Sequence, residues 1–279
     1  MKLNIFNIIK SLKKNGHITL DTIIPQKICN QAKLDILKLK KNLKKNKKFI
    51  DEGFLKGQEI IRDLPLRHPE AFLKFIDLKS IMKVLENIFH DSFILDNMMA
   101  SNSLNVLNKY DRKIHIDSQM PVNQFNLTTD VVVMIYLDKF RIKNGATKVW
   151  PGSHKSGLRI HHEKKKISKK KISESKYLIG QKGSISIMLG QTWHQVGKNI
   201  TEEDRWSIFL HYKRWWMKPS TNFLKCGKKI FSKLNPKQKE LFGFTSISPS
   251  YDFTNKTKKI YTLRKVKSIP KDYNKVLNY

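Results

Sequence analysis

The stretch Asp130-Val-Val-Val-Met-Ile-Tyr-Leu137 constrains the fold more than any other part of the chain. It is β-branched and apolar, with no alternation of polar and apolar positions. As a strand it must therefore be covered on both faces. The neighbouring sequence reads as more strands. Phe93-Ile-Leu95, Ser103–Leu107 and Lys113–Asp117 precede it, and Ser184-Ile-Ser-Ile-Met-Leu189 follows the Gly183 turn. Trp206–Trp216 is a long strand in which Trp206, Ile208, Leu210 and Tyr212 alternate with Ser207, Phe209 and His211. Asn144-Gly145 and Pro151-Gly152 are turns. Many short strands between Gly and Pro turns predict a jelly-roll or related barrel.

Ahead of residue 93 the pattern is helical. Residues 1–15 form an amphipathic helix with Leu3, Phe6, Ile9 and Leu12 on one side, and His17–Leu20 is a short strand after Gly16. Pro25 opens a helix carrying Ile28, Ala32, Ile36, Leu39 and Leu43. Pro69 opens a second helical region with Phe72, Phe75, Ile76, Ile81, Val84, Leu85 and Ile88, ending near His90. The expected organisation is one domain over 1–245. It has a helical front (1–92), a β core (93–216) and a helical cap (217–245) in which Asn235-Pro236 opens a helix. A polar tail (246–279) follows.

The formal charge of +32 invites an anionic partner such as nucleic acid. Only eight of the 55 basic residues are Arg, however, and Lys is spread along the whole chain with Ile and Asn. That is compositional drift of the kind an A+T-rich genome produces. Nucleic-acid readers instead gather Arg and aromatics in one patch, so nucleic-acid binding is not expected. The Lys-rich insert 161–176 reads as a surface loop, and the adjoining His161-His162 pair as no deliberate metal site. No apolar run is long enough to span a bilayer, and the N-terminus does not read as a signal peptide. Cys29 and Cys226 lack metal-ligand spacing, which together suggests a reducing, cytoplasmic setting without disulfides.

The chemistry resides in Lys113-Ile-His-Ile-Asp117 and a distant partner, Trp193-His194. In an extended strand, side chains at i and i+2 share a face, about 7 Å apart. His115 and Asp117 can then reach one metal ion, and His194 from another strand completes three ligands. Two His and one carboxylate with open opposite positions is the facial triad of non-haem Fe(II) oxygenases. His-x-Asp alone is a common accident in a chain with nine His.

Further segments stand in order around it: Tyr136-Leu-Asp138, Asn144-Gly-Ala-Thr-Lys-Val-Trp-Pro-Gly-Ser-His154-Lys155, Gly183-Ser184, and Asn199 leading to Arg205. With Leu241-Phe-Gly-Phe244, these resemble the phytanoyl-CoA dioxygenase family over roughly residues 15–245. The resemblance implies a double-stranded β-helix (jelly-roll, cupin-like; α+β with a mainly β core) buttressed by the N-terminal helices. It implies Fe(II), with 2-oxoglutarate and O2 as co-substrates. His115, Asp117 and His194 would be the iron ligands. Arg205, eleven residues beyond the distal His, would hold the far carboxylate of 2-oxoglutarate, which a planar guanidinium does bidentately. The implied reaction is hydroxylation of a small molecule with release of succinate and CO2. An intact Asp117 argues against halogenation, for which relatives replace the carboxylate by a small residue.

Val196 stands where many relatives carry a hydroxyl, leaving Thr147 and Gln195 as candidate second contacts. His154 is expected to bond its own backbone, Trp193 to be core and His211 a satisfied interior histidine. Two alternatives remain: a metal-binding β-helix protein that is inactive or independent of 2-oxoglutarate, and a basic nucleic-acid-binding protein.

Overall fold

The structure, a computed structural model, describes residues 3–46, 58–105, 113–118, 127–158, 160 and 174–244. It is a mixture of helices and antiparallel sheet. The chain divides into two compact units, Met1–Arg62 with Met99–Phe209, and Asp63–Met98 with Leu210–Tyr279.

The first unit opens with α1 (Ile5–Asn15), capped by the Asn4 side chain and ended by Gly16 in a left-handed conformation. Its buried residues are Ile8 and Leu12, whereas Phe6 is 75% exposed. The expected face was misassigned because a strict i+3 series drifts about 60° per step around a 3.6-residue helix. β1 (His17–Leu20) and α2 (Gln26–Lys45) follow. On α2, Cys29 takes the core position expected for Ile28, and Ala32, Ile36 and Leu43 lie where the spacing puts them. β2 (Gln58–Ile61) precedes the second unit.

A six-stranded sheet runs β1-β7-β4-β9-β3-β2, with β3 (Phe93–Ser103), β4 (Asp130–Tyr136), β7 (Ile185–Leu189) and β9 (Arg205–Arg214). β7 pairs antiparallel with both β1 and β4, and β2 with β3. All seven residues of β4 are buried, as the apolar run requires. A small antiparallel sheet, β6-β5-β8, comprises Lys148–Val149 (β5), Lys176–Tyr177 (β6) and His194–Gln195 (β8). Val149 from this sheet shares one core with Val132, Met134, Tyr136 and Met188 of the large sheet. The two sheets of this unit therefore face one another.

β3 is a single strand from Phe93 to Ser103, where two were expected, and Leu104 and Asn105 are not in it. The far end of the expected Ser103–Leu107 strand, most of the insert 161–176 (all but 174–176) and the tail lie outside the described residues, as do His161 and His162. Lys113–Asp117 forms no ladder. It is tied by a single bridge, His115 to His194.

In the second unit α3 (Leu64–Arg67) comes first, and the helical region that Pro69 opens is broken into α4 (Pro69–Phe72), a 3-10 turn (Leu73–Phe75) and α5 (Lys79–Phe89). The last residues of β9 and the first of β3 belong here. Lys213 on β9 pairs with Asp96 on β3 at 2.7 Å, and both are nearly buried. α6 (Gly227–Phe231) and α7 (Pro236–Leu241) close the unit. α7 opens at Asn235 with a reciprocal Asn235–Gln238 capping box, at the expected position.

Candidate metal centre

His115 and Asp117 share a face because Ile114 and Ile116, pointing the other way, pack against Trp150, Ile160 and Trp193. Apolar anchoring on one face thus presents both polar side chains on the other. The segment is held by backbone bonds. His115 N–H donates to His194 C=O and His194 N–H to His115 C=O, both at 2.9 Å. The N–H groups of Asp117 and Ser118 both donate to Gly190 C=O, at 2.9 and 3.0 Å. β8 pairs with β5 so that His194 faces Val149, and Val149 faces Lys176 on β6. Directly opposed residues share a face, so His115, His194 and Val149 form one cross-strand row.

One ligand atom from each of His115, Asp117 and His194 lies within 4.8 Å of the others. His115 Nε2 is 3.7 Å from Asp117 Oδ1, and His194 Nε2 is 3.4 Å from Asp117 Oδ2. Each imidazole is oriented through its other nitrogen. His115 Nδ1–H donates to Lys113 C=O at 3.1 Å, and His194 Nδ1–H to Thr192 C=O at 3.0 Å. A carbonyl can only accept, so both rings carry the proton on Nδ1. Nε2 is then the nitrogen of each ring left to bind a metal ion, and both Nε2 atoms face the carboxylate. Burial opposes a charge on His194, but the Asp117 carboxylate outweighs it and raises the pKa. This donor set of two imidazoles and one carboxylate fits a divalent transition metal and suits Fe(II).

Arg205 opens β9 and is 2% exposed. Its Nε–H donates to Asn144 C=O at 3.1 Å and its guanidinium lies 4.0 Å from the centre of the Phe140 ring. Its own N–H donates to Asn102 Oδ1 at 3.0 Å. Nη1 is buried without a hydrogen-bond partner. Burial pulls the pKa down to about 10, which leaves the group charged at neutral pH. Asn144 is more than a turn residue. Its side chain accepts from Arg141 N–H and donates to Lys139 C=O, fixing the loop whose carbonyl orients Arg205.

Other expected residues fall as follows. Trp193 is fully buried and its Nε1–H donates to Leu158 C=O. His154 does not bond its own backbone. Its Nε2 lies 3.3 Å from Lys13 C=O on α1, so the ring ties the Pro151–His154 loop to the first helix. His211 lies on β9, half buried. Cys29 and Cys226 are buried free thiols, and burial pushes both pKa values up to about 11. Lys113, Gly190 and Thr192 escaped the sequence reading because they act through backbone carbonyls, which leave no residue signature.

Residues 12–207 match the family model for phytanoyl-CoA dioxygenase (PhyH). That span takes in the triad, Asn144–His154 and Arg205, while Leu241–Phe244 lies beyond it. The dioxygenase af480 of Aspergillus fumigatus is 39% identical over 67 residues, 23% of this chain and 22% of that protein, so the match spans about a fifth of its length. Among solved structures, HygX of Streptomyces hygroscopicus with nickel and 2-oxoglutarate bound has a TM-score of 0.62 at 11% identity, covering 76% of this chain and 88% of its own. The α-ketoglutarate-dependent epimerase SnoN of nogalamycin biosynthesis has a TM-score of 0.58 at 14% identity, covering 75% and 80%. At these identities the structural likeness is one of fold. The family model, matched over more than half of the chain, carries the assignment: this chain belongs to the phytanoyl-CoA dioxygenase family, a family of 2-oxoglutarate-dependent non-haem iron enzymes.

Proposed function

We propose that the protein is an Fe(II)/2-oxoglutarate-dependent dioxygenase that hydroxylates a small molecule. In this reading His115, Asp117 and His194 hold the iron and Arg205 holds the far carboxylate of 2-oxoglutarate. Residues 1–245 act as one double-stranded β-helix domain, and the free thiols suit a cytoplasmic setting. The observation that carries the reading is the buried, unpartnered Nη1 of Arg205. A buried charge left unpaired is costly, so a site keeps one for an anion that arrives later.

Ferrous iron, when bound, supplies O2 activation coupled to decarboxylation of 2-oxoglutarate to succinate and CO2, with one oxygen atom delivered to the substrate. The chain's own residues do the rest. The two Nε2 atoms and the Asp117 carboxylate would supply three ligands to the iron. Lys113 and Thr192 carbonyls hold both imidazoles in the ligating tautomer. Phe140 and the Asn144 carbonyl aim Arg205. The facing sheets exclude water around it.

Strand register supports Thr147 over Gln195 as the second carboxylate contact. Lys148 faces Gln195, and Val149 faces His194. Thr147 lies two residues from Val149 and so falls on the His194 face, while Gln195 points to the other. Thr147, 4% exposed, is the better candidate for the contact that Val196 cannot make.

HygX has been crystallised with hygromycin B, and SnoN with nogalamycin RO. These neighbours support a small-molecule substrate here without naming it. The test is to supply Fe(II), ascorbate and 2-oxoglutarate, then screen metabolites for stimulated succinate release. A dioxygenase should show a slow basal rate and a substrate that raises it. No succinate under any condition, from protein shown to bind metal, would sink the dioxygenase assignment in favour of a non-catalytic metal-binding protein.

A further inference from the structure

We propose that the junction between α1 and β1 positions the metal ligands, with the Gly16 carbonyl and the Thr192 hydroxyl as the positioning contact. This inference rests on the metal-centre reading above. Its basis is the loop Leu189–His194, from which tethers run to two ligands. Gly190 C=O accepts the N–H groups of Asp117 and Ser118, and Thr192 C=O accepts Nδ1–H of His194. The loop is itself gripped by one atom. Gly16 C=O accepts Leu189 N–H at 2.8 Å and Thr192 Oγ1–H at 2.9 Å. A residue some 170 positions upstream of the loop thus sits one bond behind both tethers.

The contact has no slack. Gly16 adopts φ +82°, and a Cβ added there would lie 2.5 Å from Thr192 Oγ1 and 2.6 Å from His154 Nδ1. His154 closes the other side by reaching Lys13 C=O on α1. Gly190 is equally confined, since a Cβ there would lie 1.5 Å from Asp130 Oδ1. Its N–H also donates to Asp130 C=O at 2.9 Å, which anchors the residue whose carbonyl holds Asp117. Groups that orient metal ligands through hydrogen bonds commonly change metal affinity about 10- to 100-fold when lost.

Thr192→Val removes one of the two bonds on Gly16 C=O and leaves the Leu189 bond in place. The experiment titrates Ni(II), which resists air oxidation, into the metal-free full chain by calorimetry. Wild type should bind one Ni(II). Thr192→Val should bind about tenfold more weakly, and Thr192→Ser, which restores the hydroxyl, close to wild type. Ile36→Val on α2, a core change remote from the loop, supplies a control for stability. If positioning is right, it keeps wild-type affinity despite a comparable fall in the melting temperature of the metal-free protein. Should Thr192→Val fail to fold, Thr192→Ala, which removes the hydroxyl without adding a methyl group, carries the same comparison. Wild-type affinity in Thr192→Val, or an equal loss in Ile36→Val, overturns the inference. A wild type that binds no Ni(II), or binds it as well after Asp117→Ala, overturns the metal centre itself and the inference with it.

Discussion

A guanidinium that is 2% exposed, with Nη1 unpartnered, stays in a protein only when something else completes it. Arg205→Ala should therefore weaken 2-oxoglutarate binding by about 2 kcal/mol or more, roughly thirtyfold, while metal binding stays near wild type. Arg205→Lys keeps the charge but not the fork, and should recover only part of that loss. Calorimetric titration of 2-oxoglutarate into the metal-loaded variants measures both, and unchanged affinity in Arg205→Ala would remove Arg205 from the co-substrate site. The triad was legible as a candidate through its side-chain types and strand spacing, and Arg205 through the resemblance to the family. Their supports were not. Arg205 is aimed by the carbonyl of Asn144, and the two imidazoles by the carbonyls of Lys113 and Thr192, and any residue offers a carbonyl.

At the scale of elements, legibility followed burial. β4 is buried along its whole length and its apolar run announced it. The α1 face was misjudged because Phe6 is apolar yet exposed. Lys113–Asp117 alternates like a ladder strand but makes a single bridge, since its partner β8 is only two residues long. α7 was found because Asn-Pro is a helix-opening signal with a physical basis. Asn235→Ala should cost about 1 kcal/mol through loss of the capping box, read as a lowered denaturation midpoint with an unchanged slope. The pair between β3 and β9 in the second unit was not legible, because nothing local marks Asp96 and Lys213 as partners. Burial works against the Asp96 charge, but the Lys213 ammonium and the Ser220 N–H outweigh it and hold the carboxyl below its usual range. Lys213→Met would leave that carboxylate buried and unpaired, and should destabilise by about 3–5 kcal/mol. A melting temperature within a degree or two of wild type would contradict the pairing as a stabilising one.

For the whole molecule, acid should be more damaging than the large positive charge alone explains. Burial, then the nearby Lys176 and His154, lower the His17 pKa to about 4. The folded state keeps this ring neutral where the unfolded chain would protonate it. The contribution is therefore complete above about pH 6.5 and is lost progressively as pH falls toward 4, on the order of 3 kcal/mol. Urea unfolding of wild type and His17→Gln between pH 7 and 4 checks this. The variant should lose less stability over that interval, and parallel losses would exclude His17 as the cause. The charge itself, +32 with few Arg, defines no partner, and no described helix is long and apolar enough to cross a membrane. The proposed activity rests on the His115, Asp117 and His194 cluster of the first unit. The most direct test of that claim is succinate formation from 2-oxoglutarate with Fe(II) and ascorbate, in wild type and in His115→Ala and Asp117→Ala. Wild type should turn over slowly without added substrate, and neither variant should turn over at all. Equal succinate formation in all three proteins would contradict the claim.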